Sequence, residues 1–209
     1  MKKVKMKAWK RKPYYDFFTQ FDEPFFGVVQ EVECTHAYND AKANKYSFFA
    51  SYLHKAIIAA NELEEFKYRV IDNEVVIYDI IHASPTIGRP DETFSFGYIP
   101  FNQDFNTFKN DLAIEIESIQ SLSGIGLNEN TMRNDLVHFS SVPWIKFTSV
   151  SHVRNFNSID TIPKVTFGKA VLDGNKITMP ISVHVHHGLM DALHVGKYLA
   201  IFQELLLAK

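Results

Sequence analysis

ISVHVHHGLMDALHVGKYL, residues 181–199, changes its hydrophobic period halfway along. In the first half Ile181, Val183, Val185 and His187 fall on one face of a strand, with Ser182, His184 and His186 on the other. In the second half, and just beyond it, Leu193, Tyr198, Leu199, Phe202, Leu205 and Leu206 recur at helical spacing, and Asp191 stands where an N-cap stands. The stretch reads as a strand running into a helix, with His187 at the strand end and Asp191 at the helix mouth. Because His187 continues an apolar row, its imidazole is expected to be partly desolvated and neutral near pH 7, the state a general base needs. Three blander readings stay open on these residues. His187 is a hydrogen-bonded core residue, or Asp191 is only a helix cap, or His184, His186, His187 and His194 hold a metal. Strand alternation points His187 away from His184 and His186, and no Cys-x-x-Cys or His-Glu-x-x-His spacing supports a metal.

Outward from this stretch, residues 164–172 and 176–187 read as strands joined by the turn signal Asp173-Gly174-Asn175. Residues 136–140 and 144–150 read as strands on either side of Pro143, and residues 191–207 as the closing helix. Nearer the N-terminus, residues 40–66 have a helical pattern, with Phe48, Phe49, Tyr52, Leu53, Ala56, Ile57 and Ala60 on its apolar face. Residues 67–71 and 74–81 form a hairpin turning at Asp72-Asn73, residues 94–99 a strand, and residues 104–120 a second helix followed by a glycine-rich loop. Runs of strands with a few long helices predict an α+β fold, a two-layer sandwich whose helices cover one face of a mixed sheet. No repeat or linker divides the chain, so residues 1–209 are expected to form a single domain.

An apolar share of 46% and a charged share of 22% are those of a soluble globular protein, and a net charge of -2 offers no long-range attraction to nucleic acid or an anionic membrane. The basic run MKKVKMKAWKRK has no hydrophobic stretch behind it and reads as neither a signal peptide nor an anchor. Cys34, alone in the chain, cannot form an internal disulfide, which agrees with a reducing, cytoplasmic location. Aromatic residues cluster at Tyr14, Tyr15, Phe17, Phe18, Phe21, Phe25 and Phe26, as core or as the lining of an apolar pocket.

The run His186-His187 followed by Asp191 resembles the His-His-x-x-x-Asp-Gly pattern of the chloramphenicol acetyltransferases and, more distantly, of the catalytic domain of dihydrolipoyl acyltransferases. Four more stretches are similar to that family in order and spacing: Trp9-Lys10-Arg11, Glu92-Thr93-Phe94-Ser95, Ser140-Ser141-Val142-Pro143-Trp144 and Val165-Thr166-Phe167-Gly168-Lys169. The resemblance implies acetyl transfer from acetyl-CoA to a hydroxyl of chloramphenicol or a related small molecule, with no covalent acyl-enzyme and no metal. It implies His187 as general base, Ser140 as donor to the oxyanion, and Thr166 holding an ordered water. It also implies that Asp191 pairs with Arg11 to fix the histidine loop; loss of one partner of a buried bidentate pair costs roughly 3–5 kcal/mol. Phe17, Phe18, Phe25, Val150 and Lys164 take the places of the acceptor pocket. A homotrimer is implied, His187 coming from one side of each site and the acceptor pocket largely from the other.

The chain departs from the pattern in several places. Phe18 replaces a tyrosine that contacts the acceptor, Ala192 replaces the glycine after the aspartate, and Val150, Arg154 and Lys164 fall at apolar pocket positions on an ungapped reading. Arg154 and Lys164 within the pocket would make it cationic. Two other classes compete: an idle trimeric relative that binds a small ligand or serves a structural or regulatory role, and an acyl-carrying component, for which the chain has no room for a lipoyl domain.

Overall fold

The computed structural model describes residues 1–154 and 159–208. In chain order its elements are β1 (Lys2–Lys3), α1 (Lys12–Phe18), β2 (Phe25–Glu33), α2 (Thr35–Ala43), α3 (Phe48–Asn61), β3 (Tyr68–Ile71), β4 (Glu74–Ile77), β5 (His82–Gly88), β6 (Phe94–Phe96), α4 (Phe105–Gln120), β7 (Leu136–Ser141), β8 (Lys164–Phe167), β9 (Val171–Asp173), β10 (Lys176–His186) and α5 (Ala192–Leu207). The large sheet runs β2-β10-β8-β7-β5-β6, with β9 paired to β10. It is mixed, β7 lying parallel to β5 and β8 while the other pairs are antiparallel.

Alternation sorts its central strands into two faces. Val137, Phe139, Val165, Phe167, Ile181, Val183 and Val185 form a buried row that packs with Leu53, Ala56, Ile57 and Ala60 of α3 and Val195, Tyr198, Phe202 and Leu206 of α5. The expected α+β two-layer sandwich is what forms. No helix among the described residues is long and apolar enough to cross a membrane.

Several elements differ from expectation for identifiable reasons. The helix expected over residues 40–66 is broken: Lys45 takes a left-handed φ of 56° and Ser47 caps α3 by accepting from the Ala50 N–H. The aromatic run at Phe25-Phe26 opens the nine-residue strand β2, because it pairs with β10 along its length. Pro85 carries no N–H, which hides β5 from a propensity reading. Residues 144–150 leave the sheet through a turn in which the Ile145 N–H meets the Val142 carbonyl, 3.2 Å away. Residues 164–172 are split into β8 and β9, and Leu193 is 64% exposed. The Asp72-Asn73 hairpin is present, both residues adopting the positive φ that its two-residue turn requires, 50° and 61°.

β1, β4 and β3 make a small second sheet whose apolar face, with Val70 and Val75, packs on Val4, Trp9, Tyr15 and Leu189. This cluster clamps the N-terminal segment beside the turn after β10. Arg69 ties the small sheet to the large one. Only 1% exposed, it donates to the carbonyls of Asn134 (2.7 Å), Phe66 (2.8 Å), Tyr68 (2.6 Å) and Leu136. Burial pulls its guanidinium down to about 10, which leaves it charged at neutral pH. Arg69→Met is therefore expected to strip four buried carbonyls of a donor and to lower unfolding free energy by roughly 3–5 kcal/mol, read as the urea midpoint. A loss below about 1 kcal/mol would mean that the two sheets are held by packing alone.

Candidate active site

β10 stops at His186 because the chain turns there: the N–H groups of Leu189 and Met190 both donate to the His186 carbonyl, at 3.0 and 3.1 Å. The next residue, His187, donates its backbone N–H to the Pro24 carbonyl at 2.8 Å. Its half-buried ring lies flat on Phe18, with centroids 3.9 Å apart and planes at 9°, and touches Phe26 at 4.6 Å. Nδ1 is buried without a hydrogen-bond partner among the described residues. Phe17 supports Phe18 edge-on but is itself 55% exposed.

Arg11 holds this turn from the N-terminal segment. Its Nη1 donates to Asp191 Oδ2 at 2.9 Å and its Nη2 to the His187 carbonyl at 3.1 Å. The pair is therefore not the buried bidentate one expected: one arm goes to the backbone of His187, and the Asp191 side chain is 37% exposed. Asp191 is also the N-cap of α5, its Oδ1 accepting from the Leu193 N–H at 3.0 Å, so both readings of this residue hold. His194 Nδ1 accepts from the Asp191 N–H at 3.1 Å and completes a capping box. Partial burial opposes ionisation of Asp191, but the Arg11 hydrogen bond and the His194 ring outweigh it and hold the carboxyl below its usual range. Ala192 is the first residue of α5, a conformation that accommodates its Cβ.

Solvent screening at Asp191 reduces what the ion pair contributes. Arg11→Ala is expected to lower stability by only about 1–2 kcal/mol. Turnover should fall further than that implies, because the His187 carbonyl loses its anchor. Asp191→Asn keeps the cap and so should melt close to the wild type while turning over more slowly; Asp191→Ala should lose both. A melting series beside an activity series tests this, and equal loss of activity and stability would reduce Arg11 to a packing role.

The polar face of the sheet carries a second group. Register places Ser140 beside Thr166 and Thr166 beside Ser182, and places His138, Lys164 and His184 in the neighbouring row. Ser182 Oγ lies 3.0 Å from His184 Nδ1, and Thr166 Oγ1 3.4 Å from His152 Nε2. Next to this row is a cavity of about 250 Å³ whose wall includes Glu23, Phe25, His152, Arg154, Lys164 and His184. Gly27 leaves the space that the His184 ring fills, since a Cβ would sit 2.2 Å from His184 Nε2 and displace the ring. Arg154 donates to Glu23 at 2.9 Å and lies 3.5 Å above the Phe25 ring centre. Lys164 donates to the Asp160 carboxylate and to the Ile162 carbonyl. The cavity is thus charge-balanced rather than cationic. Val150 lies outside the wall, its neighbours Ser151 and His152 within it.

Within one chain the two groups do not meet. His187 lies five residues beyond Ser182, roughly 16 Å along the sheet, and its odd place in the alternation turns it to the face opposite Ser140 and Thr166. On the other side of the sheet an open apolar cleft of about 510 Å³ runs past Phe48, Tyr52, Trp144 and Gly168 to Ser141, the neighbour of Ser140. No cluster suited to a metal ion occurs among the described residues.

The family model described as chloramphenicol acetyltransferase matches residues 1–203. The chain belongs to the chloramphenicol acetyltransferase family. It is accordingly an acyltransferase. The chloramphenicol acetyltransferase of Proteus mirabilis is 27% identical over 203 residues, covering 96% of this chain and 92% of that one. That of Escherichia coli is 29% identical over 210 residues, covering 96% and 91%. A solved chloramphenicol acetyltransferase structure superposes with a TM-score of 0.92 at 31% identity, covering 99% of this chain and all of that one (100%). The dihydrolipoamide acetyltransferase of Azotobacter vinelandii, at 14% identity and a TM-score of 0.71 over 93% of this chain and 85% of that one, shares the fold. Glu23, Gly27 and His152 line the candidate cavity and Asp160 pairs with its Lys164, and none of the four stands out in the sequence. Gly27 lies in β2, while Glu23, His152 and Asp160 lie in the segments flanking the paired strands β2 and β8, far apart in sequence.

Proposed function

We propose that the protein is an acetyl-CoA-dependent O-acetyltransferase whose active site is completed between two copies of the chain. One copy supplies His187, fixed by Arg11, Asp191 and Phe18. The next copy supplies Ser140, Thr166 and the cavity beside them. The observation that carries this reading is that each half is built and supported while the chain keeps them on opposite faces. A closed ring of head-to-tail copies brings such halves together, in keeping with the trimer implied by the sequence.

In the reaction, His187 takes the proton of the acceptor hydroxyl, and the oxygen attacks the thioester carbonyl carbon. The resulting oxyanion is positioned to accept from Ser140, with Thr166 adjacent in the register. Collapse breaks the C–S bond, the imidazolium returns its proton to the departing sulfur, and the products are the acetyl ester and the coenzyme thiol. The acceptor is chloramphenicol or another hydroxylated small molecule.

The test is release of coenzyme A thiol from acetyl-CoA on addition of chloramphenicol and of a panel of other alcohols. Release that depends on an added alcohol supports the reading. Its absence across the panel would favour an idle relative that binds a ligand without turning it over.

A further inference from the structure

The cavity beside Thr166 combines one aromatic ring, Phe25, with charged and polar groups that an aryl pocket lacks. Its wall holds two cations, Arg154 and Lys164, each already matched by a carboxylate, Glu23 and Asp160 respectively. The Arg154 side chain is 9% exposed, and its Nε, which lies 3.6 Å from Asp160, has no hydrogen-bond partner among the described residues. Two imidazoles, His152 and His184, complete the wall and meet edge to face at 4.7 Å. Burial, reinforced by neighbouring positive groups, pushes His152 down to about 4, and burial lowers His184 as well, so both rings are neutral at physiological pH. Neutral imidazole offers one donor and one acceptor.

Each class of ligand meets this wall differently. Among the described residues of the wall, an anion finds no cation without a carboxylate partner, and a cation finds no free carboxylate. An aryl group strips water from guanidinium, ammonium, carboxylate and imidazole and returns no hydrogen bond. A hydroxyl-rich neutral molecule adds no charge to a balanced wall and both gives and accepts at the ring nitrogens that Ser182 and Thr166 leave unused and at the spare lone pairs of Glu23. We propose that the acceptor is an uncharged polyol of the sugar or cyclitol type, selected by Glu23, His152, Arg154 and His184. This rests on the acetyltransferase reading above, which places the acceptor in this cavity.

The full-length protein, with acetyl-CoA, is tested for binding by calorimetry and for thiol release with D-glucose, sucrose and myo-inositol. Chloramphenicol and D-gluconate serve as the aryl and anionic comparisons. At least one neutral polyol is expected to exceed chloramphenicol in kcat/KM by about tenfold or more. The double substitution Glu23→Gln with Arg154→Leu removes both arms of one ion pair and leaves no orphaned charge. It should raise KM for that polyol about 10–100-fold while kcat stays nearly constant. Should that variant melt early, His152→Leu, which removes a neutral hydrogen-bonding ring and no charge, gives the same KM readout. Chloramphenicol or gluconate preferred over every polyol overturns the inference and leaves the transferase reading standing. Polyol binding without thiol release overturns the transferase reading and keeps the ligand class. Neither binding nor turnover of any polyol overturns the inference.

Discussion

His187→Ala is expected to lower kcat/KM for acetyl transfer by at least about 10²–10⁴-fold, the contribution of a positioned general base. Neither nearby imidazole of the same strand-to-helix stretch can substitute. His186 points to the opposite face, where burial pushes it down to about 4, and its Nδ1 is engaged by the Gly188 N–H at 3.1 Å. His194 is committed to the capping box of α5. The variant should still fold, because the ring sits at a chain turn held by Arg11 and by backbone hydrogen bonds. It loses the stacking with Phe18 and the contact with Phe26, about 1 kcal/mol. Measurement of thiol release beside a melting curve separates the two effects. Retention of a tenth or more of wild-type turnover would remove His187 from the chemistry, whatever the melting temperature.

Ser140→Ala should cost about 10²–10³-fold in kcat if its hydroxyl meets the developing oxyanion. The more decisive experiment mixes this variant with His187→Ala. Each alone is nearly dead. If every site takes His187 from one copy and Ser140 from the next, refolding the two together in equal amounts restores roughly a quarter of wild-type activity, because one interface in four pairs an intact histidine with an intact serine. If both residues acted within one chain, the mixture would stay as inactive as its components. The single-chain geometry already favours the first result, since β10 carries His187 past the row of Ser182, Thr166 and Ser140 and onto the other face.

The elements closest to expectation have their instructions in short windows. The Asp72-Asn73 turn, the Asp191 cap and the period change at residues 181–199 each rest on residues a few positions apart, and each is present. Arg11 and Asp191 meet as the resemblance implied, although with one arm of the guanidinium on the His187 carbonyl. β2 and the break between α2 and α3 were less legible. For β2, pairing with the distant β10 overrides the local pattern; the α2–α3 break rests on the left-handed Lys45 and the Ser47 cap, short-range features that the apolar periodicity across residues 40–66 masks.

Periodicity and turn chemistry specify the strand-to-helix passage around His187 and the α+β class, because these depend on near neighbours along the chain, whereas Ser140 and Thr166 are singled out only by the family resemblance. Tertiary structure alone brings Glu23 to Arg154 and Asp160 to Lys164, and so makes the cavity balanced rather than cationic. It alone puts His187 and Ser140 on opposite faces. The reason is physical: charge compensation and facing are properties of strand register, and register joins residues far apart in sequence that no local pattern relates.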